Sequence, residues 1–333
     1  MKLATYRPYG SHGSRVGLCV DDEVVDLTLA WQGLLAEGSA WSDPARAESE
    51  VPSEMLAFLR RGAPALAAAR AVRERYLAGS LPEEVDGCRL RRPREEVQLL
   101  APLPRPNSLR DFMVVEEHVR RSFKDVPEEW FNIPVYYTGN VEEIYGPDDV
   151  VPWPAYTEKL DYELELCAVI GKPGRRIPVE RAAEHIVGYT LYNDWSARDI
   201  QMREMSVGIG PGMGKHFASS IGPVIATADE LDRGSIELDA RIDGEEWSRG
   251  MLGAMRFSFE EIIAWVSQEQ TLYPGDLLGS GTVGGGCGLE LNRWIRPGST
   301  IELSATGIGT LSNRVGKMGA GPRRAGSTAI GLR

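Results

Sequence analysis

The 333-residue sequence predicts an α+β protein dominated by β-structure. From about residue 108 onward, short β-branched or aromatic runs recur between glycine and proline turns, and only three stretches there have convincing helical periodicity. Those helices do not alternate regularly with the strands, which argues against a doubly wound parallel sheet. The character of the chain also changes near residue 100. A small amino-terminal α+β domain over 1–95 and a linker over 96–107 are therefore expected ahead of a larger β-rich domain over 108–316 and a loose tail over 317–333.

Taken in order, MKLATYR and RVGLCVDDEVVDL are strand-like, and the alanine- and arginine-rich SEMLAFLRRGAPALAAARAVRERYLAG is helical. Four prolines in RRPREEVQLLAPLPRPNSLRDF mark the linker. The runs IPVYYTGN, LELCAVIGK, IVGYTLYNDW, IGPVIATADEL, IELDARIDGEEW, GDLLGSGTVGG and STIELSATG are expected as strands. VERAAEHI, SARDIQMREM and SFEEIIAWVSQ are expected as helices. Between them MVVEEHVRRSFKDVPEEWF, residues 113–131, mixes charges of both signs around Pro127 and offers little apolar surface. It is expected to be a lid that is mobile or open without ligand and closes over a bound acid. The tail GKMGAGPRRAGSTAIGLR is rich in glycine and arginine.

Composition excludes some classes of function. With 42% hydrophobic and 26% charged residues the chain has enough apolar material for a sizeable core. A net charge of −11 argues against nucleic acid or anionic lipid as a partner and leaves room for a local basic pocket that takes a small acidic molecule. The four cysteines lie far apart without paired ligand spacing, and neither a signal core nor a membrane-length apolar run is present, so a reduced, cytoplasmic protein is expected.

The chemistry concentrates in KLDYELELCAVIGK, residues 159–172. Strand alternation puts Asp161, Glu163 and Glu165 on one face, and the following Cys167-Ala168-Val169-Ile170 is apolar on both faces, so the strand runs into a core. Asp194, where YTLYNDW ends and a helix begins, can meet Glu163 and Glu165 across neighbouring strands. Repelling carboxylates gathered in this way suit a hard divalent cation such as Mg2+ or Ca2+, although spacing alone favours a solvated outer face. His118, seven residues after Asp111, is the candidate base. Of the others, His185 is expected to be structural, His12 lies in a Ser/Gly loop, and His216 fits either role. GSGTVG at 279–284 matches a dinucleotide fingerprint, but the GGCGLELNRWIRPGS that follows alternates like a strand and leaves no room for the helix such a site needs. GIGPGMGKHF at 208–217 is better read as a loop that lets Lys215 approach an anionic group.

Together the RDF…His118 segment, IPVYYTGN, D-Y-E-L-E-L, YNDWSARDIQ, GKHF and GDLLGSGT resemble the fumarylacetoacetate hydrolase family over about 108–315. The resemblance implies a mixed β-roll for this domain, with Glu163, Glu165, Asp194 and Asp111 as metal ligands and His118 as general base. It further implies Arg198, Gln201, Lys215, Tyr137 and Thr282 in the substrate pocket, with Arg198 and Lys215 stabilising charge. The cofactor would be one divalent cation, Mg2+ or Ca2+ with Mn2+ also compatible, and the protein a homodimer. The activity expected is metal-dependent hydrolysis of a carbon–carbon bond in a 1,3-dicarbonyl acid, with isomerisation or tautomerisation, dehydration or decarboxylation of a 2-oxo acid, or binding without turnover, as alternatives. Two departures bear on the choice. The glutamate that pairs with the histidine in the hydrolase that cleaves fumarylacetoacetate has no counterpart in the glycine run after Gly281-Thr282-Val283, and Arg121 stands where decarboxylating or dehydrating members carry a glutamate. Glu116 or Glu117 is then left to orient His118.

Overall fold

The computed structural model describes residues 1–37, 42–252 and 255–318. Lys2–Pro8 buries Leu3 to Tyr6, and the hairpin Arg15–Val20/Glu23–Asp26 turns at Asp21, whose φ of 49° is one that aspartate tolerates. The Asp26 side chain then accepts from Leu29 N–H and opens the Leu27–Leu35 helix. The long helical stretch is broken at Gly62 (φ 70°) into Met55–Arg61 and Ala63–Leu77.

A twelve-stranded mixed sheet organises the described residues. Its order runs Arg91–Pro93, Glu23–Asp26, Arg15–Val20, Lys2–Pro8, Ser219–Thr227, Ile186–Asn193, Leu164–Ile170, Asp276–Gly279, Ser108–Phe112, Tyr136–Thr138, with Val97–Leu99 and Ile144–Tyr145 attached beside it. The sheet is continuous from the amino-terminal strands into the rest of the chain, because Lys2 and Leu3 pair with Ala226 and Ile225. Within the expected linker, Val97–Leu99 pairs with the first strand. Lys317 and Met318 end the last strand, and the remainder of the expected tail, 319–333, lies outside the described residues.

The central strand Leu164–Ile170 is buried on both faces, as its apolar run over 166–170 requires. Leu164, Leu166 and Ala168 join a core with Leu238, Leu303 and Leu311 of a five-stranded sheet, while Cys167 and Val169 face a second core that includes Phe58, Leu59 and Ala65 of the amino-terminal helices. The result is a helix layer, a large sheet and a smaller sheet, stacked in that order. No helix among the described residues is long and apolar enough to cross a membrane.

The structure departs from two expectations, an open arrangement of 113–131 and a strand after the glycine run. Residues 113–131 are packed: Glu116–Ser122 is helical with Val119 buried, and buried Trp130 donates its indole N–H to Met113 O at 2.6 Å. The apolar residues are few but well placed, which composition alone does not show. The stretch expected to alternate as a strand after GSGTVGG instead contains the helix Gly288–Leu291. A four-residue helix is too short to display a helical period, so it resembles an alternating strand in sequence.

Candidate active site

Strand register gathers the acidic residues at one end of the large sheet. Leu164 pairs with Asn193 and Glu165 with Tyr192, so Glu163 precedes one strand where Asp194 follows its neighbour. On the other side Cys167 pairs with Gly279, which pairs with Asp111. Gly279 is needed there, since a Cβ would stand 2.4 Å from Asp111 Oδ1. Asp111, Glu163, Glu165 and Asp194 are all buried, and each offers an oxygen within 4.8 Å of the others.

Two cations enter this cluster from one side. Lys215 Nζ donates to Glu163 Oε2 and Asp194 Oδ2, both at 2.6 Å. Arg198 donates Nη2 to Glu163 Oε1 and Nε to Asp161 Oδ2, both at 2.8 Å, and Nη1 to Gln201 Oε1 at 3.0 Å. Tyr137 OH is 2.6 and 2.7 Å from the Asp194 oxygens, and Thr282 Oγ1 is 3.3 Å from Glu165 Oε1. Burial penalises the charge on Glu163, but Lys215 and Arg198 outweigh it and hold its carboxyl below the usual range. Asp111 and Glu165 go the other way. Burial, then the charge of Asp194 on Asp111 and of Asp111 on Glu165, pushes both well above that range. Asp111 Oδ1 and Glu165 Oε2 are buried with no hydrogen-bond partner among the described residues.

That pattern fits a bound hard cation. Five carboxylates, counting Asp161, stand against two cations, the ligand atoms are all oxygens, and two of them have no hydrogen-bond donor among the described residues. His118, Cys287 and Glu290 form a second close group, with ligand atoms within 4.8 Å. It suits a cation less well: burial holds the Cys287 thiol far above its ordinary range, whereas thiolate is the ligand form.

His118 is itself buried, and its Nδ1 lies 2.7 Å from Glu290 Oε1. Glu290 Oε2 accepts from Gly285 N–H at 2.8 Å. With Glu290 as the acceptor, Nδ1 carries the proton and Nε2 is left as the basic nitrogen. A cavity of about 660 Å³ joins His118 to the carboxylates and is also lined by Tyr137, Arg198, Gln201, Lys215 and Thr282. Every residue nominated from the sequence for the site therefore reaches one cavity, except Asp194, which sits behind it in the cluster. The loop at 208–217 does bring Lys215 to anionic groups, which are the protein's own carboxylates, and Glu204 fills its backbone by accepting from the N–H groups of Gly212, Met213 and Gly214. His185 and His216 each bond a backbone carbonyl and stay outside the cavity.

The model for the fumarylacetoacetate (FAA) hydrolase C-terminal domain matches residues 109–316. The chain belongs to this family. It is 34% identical over 270 residues, 80% of each chain, to a human protein named mitochondrial oxaloacetate tautomerase FAHD2A. It is 31% identical over 326 residues, 95% of this chain and all of the other, to the oxaloacetate tautomerase YisK of Bacillus subtilis. Among solved structures, the fumarylacetoacetate hydrolase of Exiguobacterium antarcticum aligns with a TM-score of 0.70 at 26% identity, covering 95% of this chain and 99% of that one. Against this family background the orientation of His118 is corrected. Glu116 and Glu117 pair with Arg120 and Arg121 on the helix surface, and the histidine's glutamate is present after all as Glu290. It was hidden by the glycine run and by the short helix that turns it back toward His118. Asp161, which has no assigned role in the sequence reading, is the other addition, and only its place in D-Y-E-L-E-L hinted at it.

Proposed function

We propose that this chain is a divalent-cation-dependent tautomerase that interconverts the enol and keto forms of a small 2-oxo acid of the oxaloacetate class. The observation that carries the reading is the His118–Glu290 pair, set across one cavity from a carboxylate cluster with two unpartnered oxygens. Two full-domain relatives named oxaloacetate tautomerases support it.

Asp111, Glu163, Glu165 and Asp194 would hold the cation, for which Mg2+, Ca2+ and Mn2+ are all suitable hard ions. When bound, it would supply Lewis acidity toward the 2-oxo carboxylate group and offset negative charge developing on the oxo oxygen. His118 Nε2 takes the proton from the carbon beside the oxo group, and Glu290 stabilises the imidazolium until the proton is returned to the substrate oxygen. Gln201, whose Oε1 is held by Arg198, has its amide N–H groups left to orient a substrate carboxylate. Thr282 holds Glu165, and Tyr137 holds Asp194.

Hydrolysis of a carbon–carbon bond is the second reading. It asks for a cationic donor at a tetrahedral oxyanion, and Lys215 and Arg198, the candidates for that task, are each committed to two carboxylates. A single base suffices for tautomerisation. The test follows the ultraviolet absorbance of enol-oxaloacetate with Mg2+ present. Wild type should speed its decay, and His118→Ala should remove the acceleration while calorimetry still finds wild-type Mg2+ stoichiometry. No acceleration by wild type, with cleavage of an acylpyruvate instead, would favour the hydrolase.

A further inference from the structure

We propose that Asp161 is a positioning residue that ties the His118–Glu290 pair to the carboxylate cluster, setting the separation between the base and the cation-binding groups. The inference rests on the reading of these two groups given above. Asp161 is fully buried, and both of its oxygens are saturated by donors from different parts of the site. Oδ2 accepts from Arg198 Nε at 2.8 Å and from Leu289 N–H at 3.0 Å. Oδ1 accepts from Gly288 N–H at 2.8 Å and from Tyr162 N–H at 2.9 Å.

Each donor leads somewhere specific. Through its other arm Arg198 reaches Glu163, a member of the cluster. Gly288 and Leu289 begin the short helix whose next residue is Glu290, the partner of His118. One carboxylate thus joins side chains and backbone of the two halves of the site, beside the backbone bridge between Glu163 and Cys287. The approach is close enough to require glycine: a Cβ at position 288 would lie 2.6 Å from Asp161 Oδ1 and 2.2 Å from Arg293 O. The Gly288–Leu291 helix is too short to hold its own direction, so an external anchor is needed to aim Glu290.

Asn is nearly isosteric with Asp but has one acceptor oxygen and one amide group. Whichever way it turns, its NH2 faces two donors, so either the Gly288 side or the Arg198 side is released. The experiment compares wild type, Asp161→Asn and Arg198→Lys as full-length proteins. It records the His118 ring N–H resonance by NMR in metal-free protein, Mg2+ affinity by calorimetry, and kcat and KM for enol-oxaloacetate. Both variants should shift or lose the ring N–H signal, although neither residue touches His118. In Asp161→Asn, kcat should fall about 10–100-fold, the range for losing a supporting contact, with KM changed less than about twofold. A merely structural Asp161 would lower the melting temperature and leave the ring signal and kcat unchanged, which would overturn the proposal. Should Asp161→Asn not fold, Arg198→Lys, which keeps the charge, decides by the same signal. The ring signal needs neither cation nor turnover. If wild type binds no Mg2+ and does not tautomerise oxaloacetate, the function reading fails while the coupling is still judged.

Discussion

Glu163 and Asp194 are met by Lys215 and Arg198, whereas Asp111 and Glu165, equally buried and within 4.8 Å of them, pair with no cation among the described residues. The two sides of one cluster are therefore under opposite electrostatic influences: Lys215 and Arg198 favour the ionised form of Glu163, whereas burial and neighbouring carboxylates disfavour ionisation of Asp111 and Glu165. The difference teaches where the protein's own charge stops. On the proposed reading a cation would complete the Asp111–Glu165 side, and the lysine and arginine hold the other side in place without it.

Substitutions should separate the sides by sign. Glu163→Gln leaves Lys215 and Arg198 buried and short of a partner, so it should destabilise the metal-free protein by about 3–5 kcal/mol. Glu165→Gln removes a repelling carboxyl and should leave the metal-free protein as stable as wild type or more so. Denaturant unfolding in EDTA checks both, and equal losses would erase the proposed asymmetry. The same Glu165→Gln protein should bind Mg2+ far more weakly, on the order of 100-fold, because a charged hard ligand is gone.

The pH dependence of stability sharpens the comparison further. For Asp111 and Glu165 the folded pKa lies above the unfolded one, so between these values the unfolded chain binds fewer protons than the native protein. Stability of the metal-free protein should then fall as pH rises from the ordinary carboxylate range toward the raised values. Saturating Mg2+ should abolish this loss, since the ionised forms are then the bound ones. Melting temperature against pH, with EDTA and with Mg2+, measures the effect. A metal-free curve that does not fall over this range would contradict it.

The carboxylate side was largely legible in the sequence, because strand alternation puts Glu163 and Glu165 on one face and strand pairing brings Asp194 to them, while Asp111 was legible only through the family resemblance. Two of the expected helices, Arg198–Met205 and Phe259–Val266, and the runs of the central sheet were legible for the same reason of period, whereas VERAAEHI holds only the short helix Val179–Ala182 and a 3-10 turn. What periodicity could not show was the base side. Glu290 sits on a four-residue helix after a glycine run, and its pairing with His118 spans 172 residues, so no local pattern announces it. Nor could composition show that Val119 and Trp130 suffice to pack the segment over the site.

The smallest effect expected is that of Glu117→Gln. Its carboxylate pairs with Arg121 at an exposed helix surface, an arrangement worth about 0.5 kcal/mol or less. Enol-oxaloacetate kinetics should show wild-type kcat. A large loss would return Glu117 to the role that Glu290 now holds.

The central claim is that the uncompensated carboxylates form the cation site, and anomalous scattering from crystals soaked in Mn2+ tests it most directly. One peak is predicted within the cluster, bonded to Asp111 and Glu165 and shared with Glu163 and Asp194. A peak at His118, Cys287 and Glu290 instead, or none at saturating Mn2+, would contradict the account.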